Sequence, residues 1–459
     1  MDTLTFAEKA SLRIRNSVLL KLLGIGILIL ILLIPMSMLR ALVAERSVLQ
    51  ESAIEEISAK WGGEQTLTGP VLTVPYTVIR KMSSGDTIRE MRYAHFLPDE
   101  LSIDGELLPR SRYRGIYKAI LYEAALNVSG NFAFPRLVAR QIGAETVHYD
   151  KAFIQIGIPD MRGICSKVSI DWDGTRYTAL PGIPTSDISG SGIHVPVRLS
   201  ESMHPSPLPF TFKININGSG RLSFVPVGKE TAVSVRSAWN SPSFDGAFLP
   251  RQHTITKKGF SARWQVFDFN RNFPQSWLGS AYALNGSHCS VGMVTPVAHY
   301  QMVTRSVKYA ALIIFLTFLL FFIIELMKKF KVHPIQYLLI GTGLVLFYTL
   351  LLSVSEQMVF PAAYGIAAGA TTLLLSLYTY TIVGRKPQTL MVGGLFCVMY
   401  GFLYVILRSE DYALLIGSSG LFLLLGVVMF LTRNINWYRL SRGGAEVPDG
   451  NAAELPAID

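Results

Sequence analysis

Eight histidines, three cysteines and one acid inside an apolar stretch are the side chains with which this sequence could do chemistry. A metal site draws on closely spaced pairs such as C-x-x-C or H-x-x-x-H. Only His288 and Cys289 adjoin, no second pair at ligand spacing accompanies them, and they read as a solvated loop. His194, His204 and His253 lie among Gly, Pro and Ser, the setting of many catalytic loops. No G-x-S-x-G turn, P-loop or H-E-x-x-H helix supplies any of them with a partner, so they read as exposed loop residues. Cys165 and Cys289 could be joined in an oxidising compartment, but spacing alone does not decide the pairing. Cys397 falls within an apolar stretch and reads as a small packing residue. The sequence therefore assigns no catalytic residue, no metal ligand and no cofactor.

The single acid is Glu325. A carboxylate inside hydrocarbon is costly and marks function unless it reaches the interface. Its stretch ends two residues later, so the expected outcome is an interfacial Glu325 pairing with Lys328 or Lys329. The apolar stretches that follow carry no charged side chain, which argues against proton- or ion-coupled transport. Gly365 and Gly369 form a GxxxG pair, whose missing side chains permit close helix approach. Packing within the bundle is expected there, with dimerisation as the other reading. Thr371, Thr372, Ser376, Thr379 and Thr381 can satisfy their hydroxyls on their own helix backbone.

The elements that hold these residues follow from composition. Half of the 459 residues are hydrophobic, 16% are charged, and the net charge is +10. Mean hydropathy is +0.35. A soluble protein this apolar would expose large sticky patches. A bilayer core of ~30 Å takes about 20 apolar residues as helix. Six stretches approach that length, at 22–39, 309–327, 335–354, 360–383, 390–407 and 412–431. Residues 1–21 and 432–459 flank them. Residues 40–61 continue the first helix as a stalk, with Ile54, Ile57 and Trp61 on one face and Gly62-Gly63 as its stop. A straight stalk would reach roughly 30 Å. Leu42-Val43-Ala44 could be read as a signal-peptidase site, but 18 apolar residues exceed a typical signal core, so a permanent anchor is expected.

Short loops orient the chain, because Lys and Arg stay on the cytoplasmic side. Lys9, Arg13, Arg15 and Lys21 precede the first stretch. Lys328, Lys329 and Lys331 follow the second, Arg385 and Lys386 the fourth, and Arg433, Arg439 and Arg442 the last. The opposite short loops hold only Arg408, beside Glu410 and Asp411. Both termini are thus expected in the cytoplasm and residues 40–308 outside it. Trp437 and Tyr438, with Lys328 and Lys329, are placed as membrane-interface residues. The same asymmetry accounts for much of the positive charge. No basic run with interleaved aromatics is present, so nucleic acid is not an expected partner.

Residues 62–308 change period. Phe210, Phe212, Ile214 and Ile216 alternate with Thr211, Lys213, Asn215 and Asn217, as a half-buried strand does. Ile154, Ile156 and Ile158 repeat the pattern, and Gly, Pro, Asn and Ser punctuate the region. The expected fold is an α-helical transmembrane bundle of one plus five helices with a large β-rich, sandwich-like domain. Leu126–Phe134 aligns with Ile216–Phe224, which suggests two related β-subdomains.

Several segments together resemble the CreD family of bacterial inner-membrane proteins, also called cell envelope integrity proteins. They are LLIPMSMLRALVAER (32–46), GPVLTVPYT (69–77), SGRLSFVPVGKETAVSVRSAWNSPSFDGAFLP (219–250), HPIQYLLIGTGLVLFYTLLLSVSE (333–356) and TRNINWY (432–438). The resemblance covers nearly the whole chain. It implies a Gram-negative inner membrane, a periplasmic domain, and a role in envelope maintenance under two-component control. It carries no catalytic residue or cofactor. The expected function is a non-enzymatic membrane protein whose β-rich domain binds an envelope component or a membrane-protein partner, with the lipid bilayer itself as a partner and oligomerisation open. A transporter or flippase-like device and an unrecognised periplasmic hydrolase are the alternatives.

Overall fold

The computed structural model describes residues 18–81, 87–135, 143–199, 207–284, 286–293, 299–328, 332–383, 386–409 and 412–433. The chain divides into a β-rich unit, Leu49–Pro296, and a helical unit made of Met1–Val48 and Val297–Asp459.

In the β-rich unit the period-two pattern becomes burial. Along strand Glu100–Arg114, Leu101, Ile103 and Leu107 are buried while Ser102, Asp104 and Glu106 face out. Strand Leu208–Ser219 does the same with Leu208, Phe210, Phe212, Ile214 and Ile216. Each such side chain contributes roughly 1.5–3 kcal/mol when removed from water. These strands belong to an eight-stranded sheet. A ten-stranded sheet is built around strand Gln65–Lys81, which pairs parallel with Arg221–Val225 and antiparallel with Phe153–Gly157 and Thr87–Phe96. Every residue of Phe153–Gly157 is buried, as expected of a strand covered on both faces. Side chains of both sheets form one core. Tyr122, in strand Tyr117–Phe132 of the eight-stranded sheet, donates to the Arg221 carbonyl of the ten-stranded one at 2.8 Å.

The two segments suggested as a repeat lie on antiparallel neighbours in one sheet, with Leu126 opposite Ile214 and Ala124 opposite Ile216. Their glycines differ: Gly130 lies within a strand, whereas Gly220 (φ 67°) turns the chain from one sheet into the other.

The helical unit contains α1 (Val18–Trp61, continuing into the β-rich unit), α2 (His299–Lys308), α3 (Ala310–Lys328), α4 (Pro334–Ser355), α5 (Phe360–Val383), α6 (Lys386–Arg408) and α7 (Ala413–Thr432). Among the described residues five helices are long and apolar enough to cross a bilayer, and six if α2 and α3, bent by 42°, are one span. None of the α7 span is buried, and Phe422, Leu423, Met429 and Phe430 all point outward. Only hydrocarbon solvates such a surface without penalty.

Close helix approach occurs at glycines other than the expected pair. A methyl group at Gly341 of α4 would meet Leu32 of α1 and Phe318 of α3, and one at Gly343 would meet Leu375 of α5. At Gly365 and Gly369 nothing lies within 4 Å of that position. Both glycines are exposed and line an open groove shared with Tyr400, Gly401 and Tyr404 of α6.

Candidate functional site

Three places bring polar side chains together. The first is in the helical unit. Glu325 of α3 is buried, and its carboxylate accepts from Lys21 Nζ of α1 (2.5 Å), Tyr337 Oη of α4 (3.3 Å) and the Val332 amide (3.3 Å). The partner is thus a lysine of the first helix. The Lys328 side chain and all of Lys329 lie outside the described residues. A second cluster joins α1, α2 and the end of α4 further along. Glu356, just past α4, accepts from Tyr300 Oη of α2 at 2.9 Å and stands 3.9 Å from Arg46 Nε of α1. Lys21 and Arg46 are about 37 Å apart along a straight helix, which matches a hydrocarbon core with part of its interfaces. Charged pairs thus clamp α1 to the bundle at both ends of its apolar run.

The second place is where α1 ends in the β-rich unit. Trp61 Nε1 donates to the Tyr122 carbonyl, and Gly62 is held at φ 140°, where a side chain would also meet the Asn217 carbonyl at 2.6 Å. Asp160 accepts from the Gly63 amide (3.0 Å) and is held by both arms of Arg162 (2.9 Å each). The Arg162 guanidinium, then the amide bonds, depress the Asp160 carboxyl to about 2. Gln65 Nε2 donates to the carbonyls of Asp160 and Asn217.

The third place is the ten-stranded sheet. His95 and Thr73 face each other across strands Thr87–Phe96 and Gln65–Lys81. His95 Nε2 lies 3.1 Å from Asp187 Oδ2, and Nδ1 lies 3.0 Å from Thr73 Oγ1. A carboxylate only accepts, so Nε2 carries the proton and Nδ1 accepts from the threonine hydroxyl. Burial lowers the imidazole below its usual range, with Asp187 opposing this more weakly. Hydroxyl, imidazole and carboxylate in a row would suggest nucleophilic catalysis. Yet Thr73 and His95 are both 0% exposed, so no substrate meets them, and the row is a structural brace.

Beside this brace an open pocket of about 620 Å³ is lined by residues from both strands and from Phe153–Gly157 and Gly192–Pro196. Its floor is Phe153, edge-on to Tyr93 (6.0 Å) and to the His194 ring (6.2 Å). His194 Nδ1 donates to the Gly182 carbonyl at 2.7 Å, leaving Nε2 as an acceptor. Lys151 and Arg198 line the mouth, exposed, and neither side chain has a hydrogen bond or ion pair among the described residues. Asp150 and Tyr177 complete it.

The histidines named from sequence therefore separate. His194 lines this pocket, His253 lies against Phe244 elsewhere (5.4 Å between rings), and His204 is outside the described residues. Cys289 is buried beside a half-buried His288, and burial pushes its thiol up to about 12. Cys165 is exposed, and both cysteines are free. Cys397 is exposed on α6, so it does not pack the bundle interior. No cluster of three metal-ligating side chains occurs among the described residues. Trp437 and Tyr438 lie beyond them. Sequence reading missed His95, Asp187, Lys151 and Arg198. The one available signal was a histidine inside the otherwise apolar strand end Ala94–Phe96, where an unpaired polar group would be costly.

Bilayer-length helices together with a two-sheet β-rich unit in the chain between the first of them and the rest define a multi-pass membrane protein. Residues 17–438 match the family model described as "Inner membrane protein CreD". The chain is 33% identical over 423 residues to inner membrane protein CreD of Escherichia coli K12, covering 90% of this chain and 92% of that one. This chain belongs to the CreD family of multi-pass inner-membrane proteins. Neither description denotes an enzyme. A solved M1 zinc metallopeptidase from Deinococcus radiodurans covers 47% of this chain and 54% of its own at 9% identity, but its TM-score of 0.19 carries no argument.

Proposed function

We propose that this protein supports the cell envelope as a non-enzymatic binding module: both termini lie in the cytoplasm, the β-rich unit lies in the periplasm, and that unit takes an envelope component in the pocket floored by Phe153. The observation that carries the reading is the pocket itself. It offers aromatic rings and two cations without partners among the described residues, and no hydrogen bond joins its Asp150, Tyr177 and His194 into a nucleophile–base pair, which suits recognition better than turnover. The orientation rests on the Lys and Arg of the short loops. The bundle contributes anchorage. Its one acid inside a span, Glu325, has its oxygens occupied by Lys21, Tyr337 and a backbone amide, which leaves no free carboxylate for a coupled ion. Interfacial Trp437, Tyr438, Lys328 and Lys329 complete the anchoring in this proposal.

A photo-crosslinking residue in place of Tyr177, at the pocket mouth, tests it in living cells. The expected result is an adduct with a periplasmic or outer-leaflet component that a twin crosslinker at exposed Tyr113 does not give. Adducts with cytosolic proteins alone would contradict the proposal.

A further inference from the structure

We infer that the pocket selects an anionic saccharide, a sugar ring bearing a carboxylate or a phosphate. The inference rests on the proposed binding role of the β-rich unit and names the ligand class.

Three features of the lining point the same way. First, charge: Lys151 and Arg198 line the pocket without partners among the described residues, against the single carboxylate of Asp150 in the lining. An exposed guanidinium and ammonium converging on one space are the pair that a carboxylate or phosphate fills, the guanidinium by two parallel N–H bonds. Second, aromatic rings: half-buried Tyr93 and Tyr177 share the lining with a buried Phe153, to which Tyr93 is edge-on. Aromatic faces carry partial negative charge, and the polarised C–H face of a sugar ring is their complement. Third, what the backbone withholds. Pro75, Pro184 and Pro196 line the pocket and have no N–H to give. A peptide adding as a strand needs main-chain donors along an edge, so this wall favours a ligand recognised by its faces and its charge. Hydroxyl and amide protons of a sugar find acceptors in the Asp150 carboxylate and in His194 Nε2. The volume, about 620 Å³, falls within the roughly 300–1,000 Å³ of ligand pockets.

Two envelope chemistries share this description, a carboxylated glycan and a phosphorylated one. Titration of the full-length protein in detergent with three probes separates them: N-acetylglucosaminyl-N-acetylmuramic acid, a glucosamine disaccharide bisphosphate, and neutral chitobiose. At least one anionic probe is expected to bind ten times or more tightly than chitobiose. Arg198→Glu and Lys151→Glu are each expected to weaken that probe by tenfold or more, since each removes a charge-assisted hydrogen bond and sets a carboxylate against the anion. Both residues are exposed, so the thermal midpoint of each variant should match the wild type. Preference for the muramic acid probe assigns a glycan-strand source, and preference for the bisphosphate assigns a lipid-linked one. Equal binding of all three, or binding of none, overturns the inference. If none binds while the Tyr177 crosslinker still captures a periplasmic protein, the saccharide is wrong and the binding-module reading stands.

Discussion

Replacing Lys21 with methionine is expected to destabilise the helical unit by about 2 kcal/mol, below the scale of a fully buried ion pair because the Lys21 side chain is 35% exposed. The loss would arise less from the missing attraction than from what remains. Glu325 is 7% exposed, so without the ammonium its carboxylate keeps only Tyr337 and the Val332 amide. Glu325→Leu added to Lys21→Met removes the stranded charge as well, and should return most of the lost stability. Helicity followed during titration of mixed micelles with a denaturing detergent would read both values. A single variant as stable as the wild type would show that α1 is held by apolar packing at Leu32 and Met36 alone, and that the pair is incidental.

His95→Phe should cost about 2 kcal/mol at pH 7.5, from the loss of one neutral and one charge-assisted hydrogen bond, in part offset by ring packing beside Trp277 at 5.6 Å. Its larger signature is in pH dependence. In the folded domain burial holds His95 below the usual 6.5, whereas in the unfolded chain it returns to that value. Between the two values the unfolded state binds a proton that the folded state refuses. The contribution is therefore complete above pH 6.5 and is lost as pH falls from 6.5 toward the depressed folded value. The wild type should soften over that window, and His95→Phe should not. Asp160, held at about 2, adds a separate loss only as pH falls below about 3.8. Tryptophan fluorescence during urea unfolding, repeated from pH 7.5 to 5, reports both. Parallel slopes for the two proteins would mean that His95 does not titrate with folding.

The parts of this molecule that were legible in its sequence are those set by periodicity and by solvent. Hydrocarbon demands length, so the apolar stretches stand out, and a half-buried sheet demands alternation, so Phe210 to Ile216 reads as strand. What was not legible depends on which chain segments meet. Lys21 and Glu325 are 304 residues apart, and nothing in either neighbourhood names the other. His95 and Asp187 are 92 apart, and the pocket draws on five strands and the turns beside them. Spelling alone does not tell which glycine a neighbour will fill. The GxxxG pair Gly365 and Gly369 is exposed in an open groove, while Gly341, with no such spelling, receives Leu32.

The proposed envelope role requires the β-rich unit to lie across the membrane from the termini. Gly190 is exposed with open space around it, so Gly190→Cys in a Cys165→Ser, Cys397→Ser background adds one reachable thiol, while Cys289 stays buried. A membrane-impermeant maleimide applied to intact cells with permeabilised outer membranes should label that thiol as fully as it does after lysis. Labelling that appears only after the inner membrane is broken would place the unit in the cytosol and end the envelope reading.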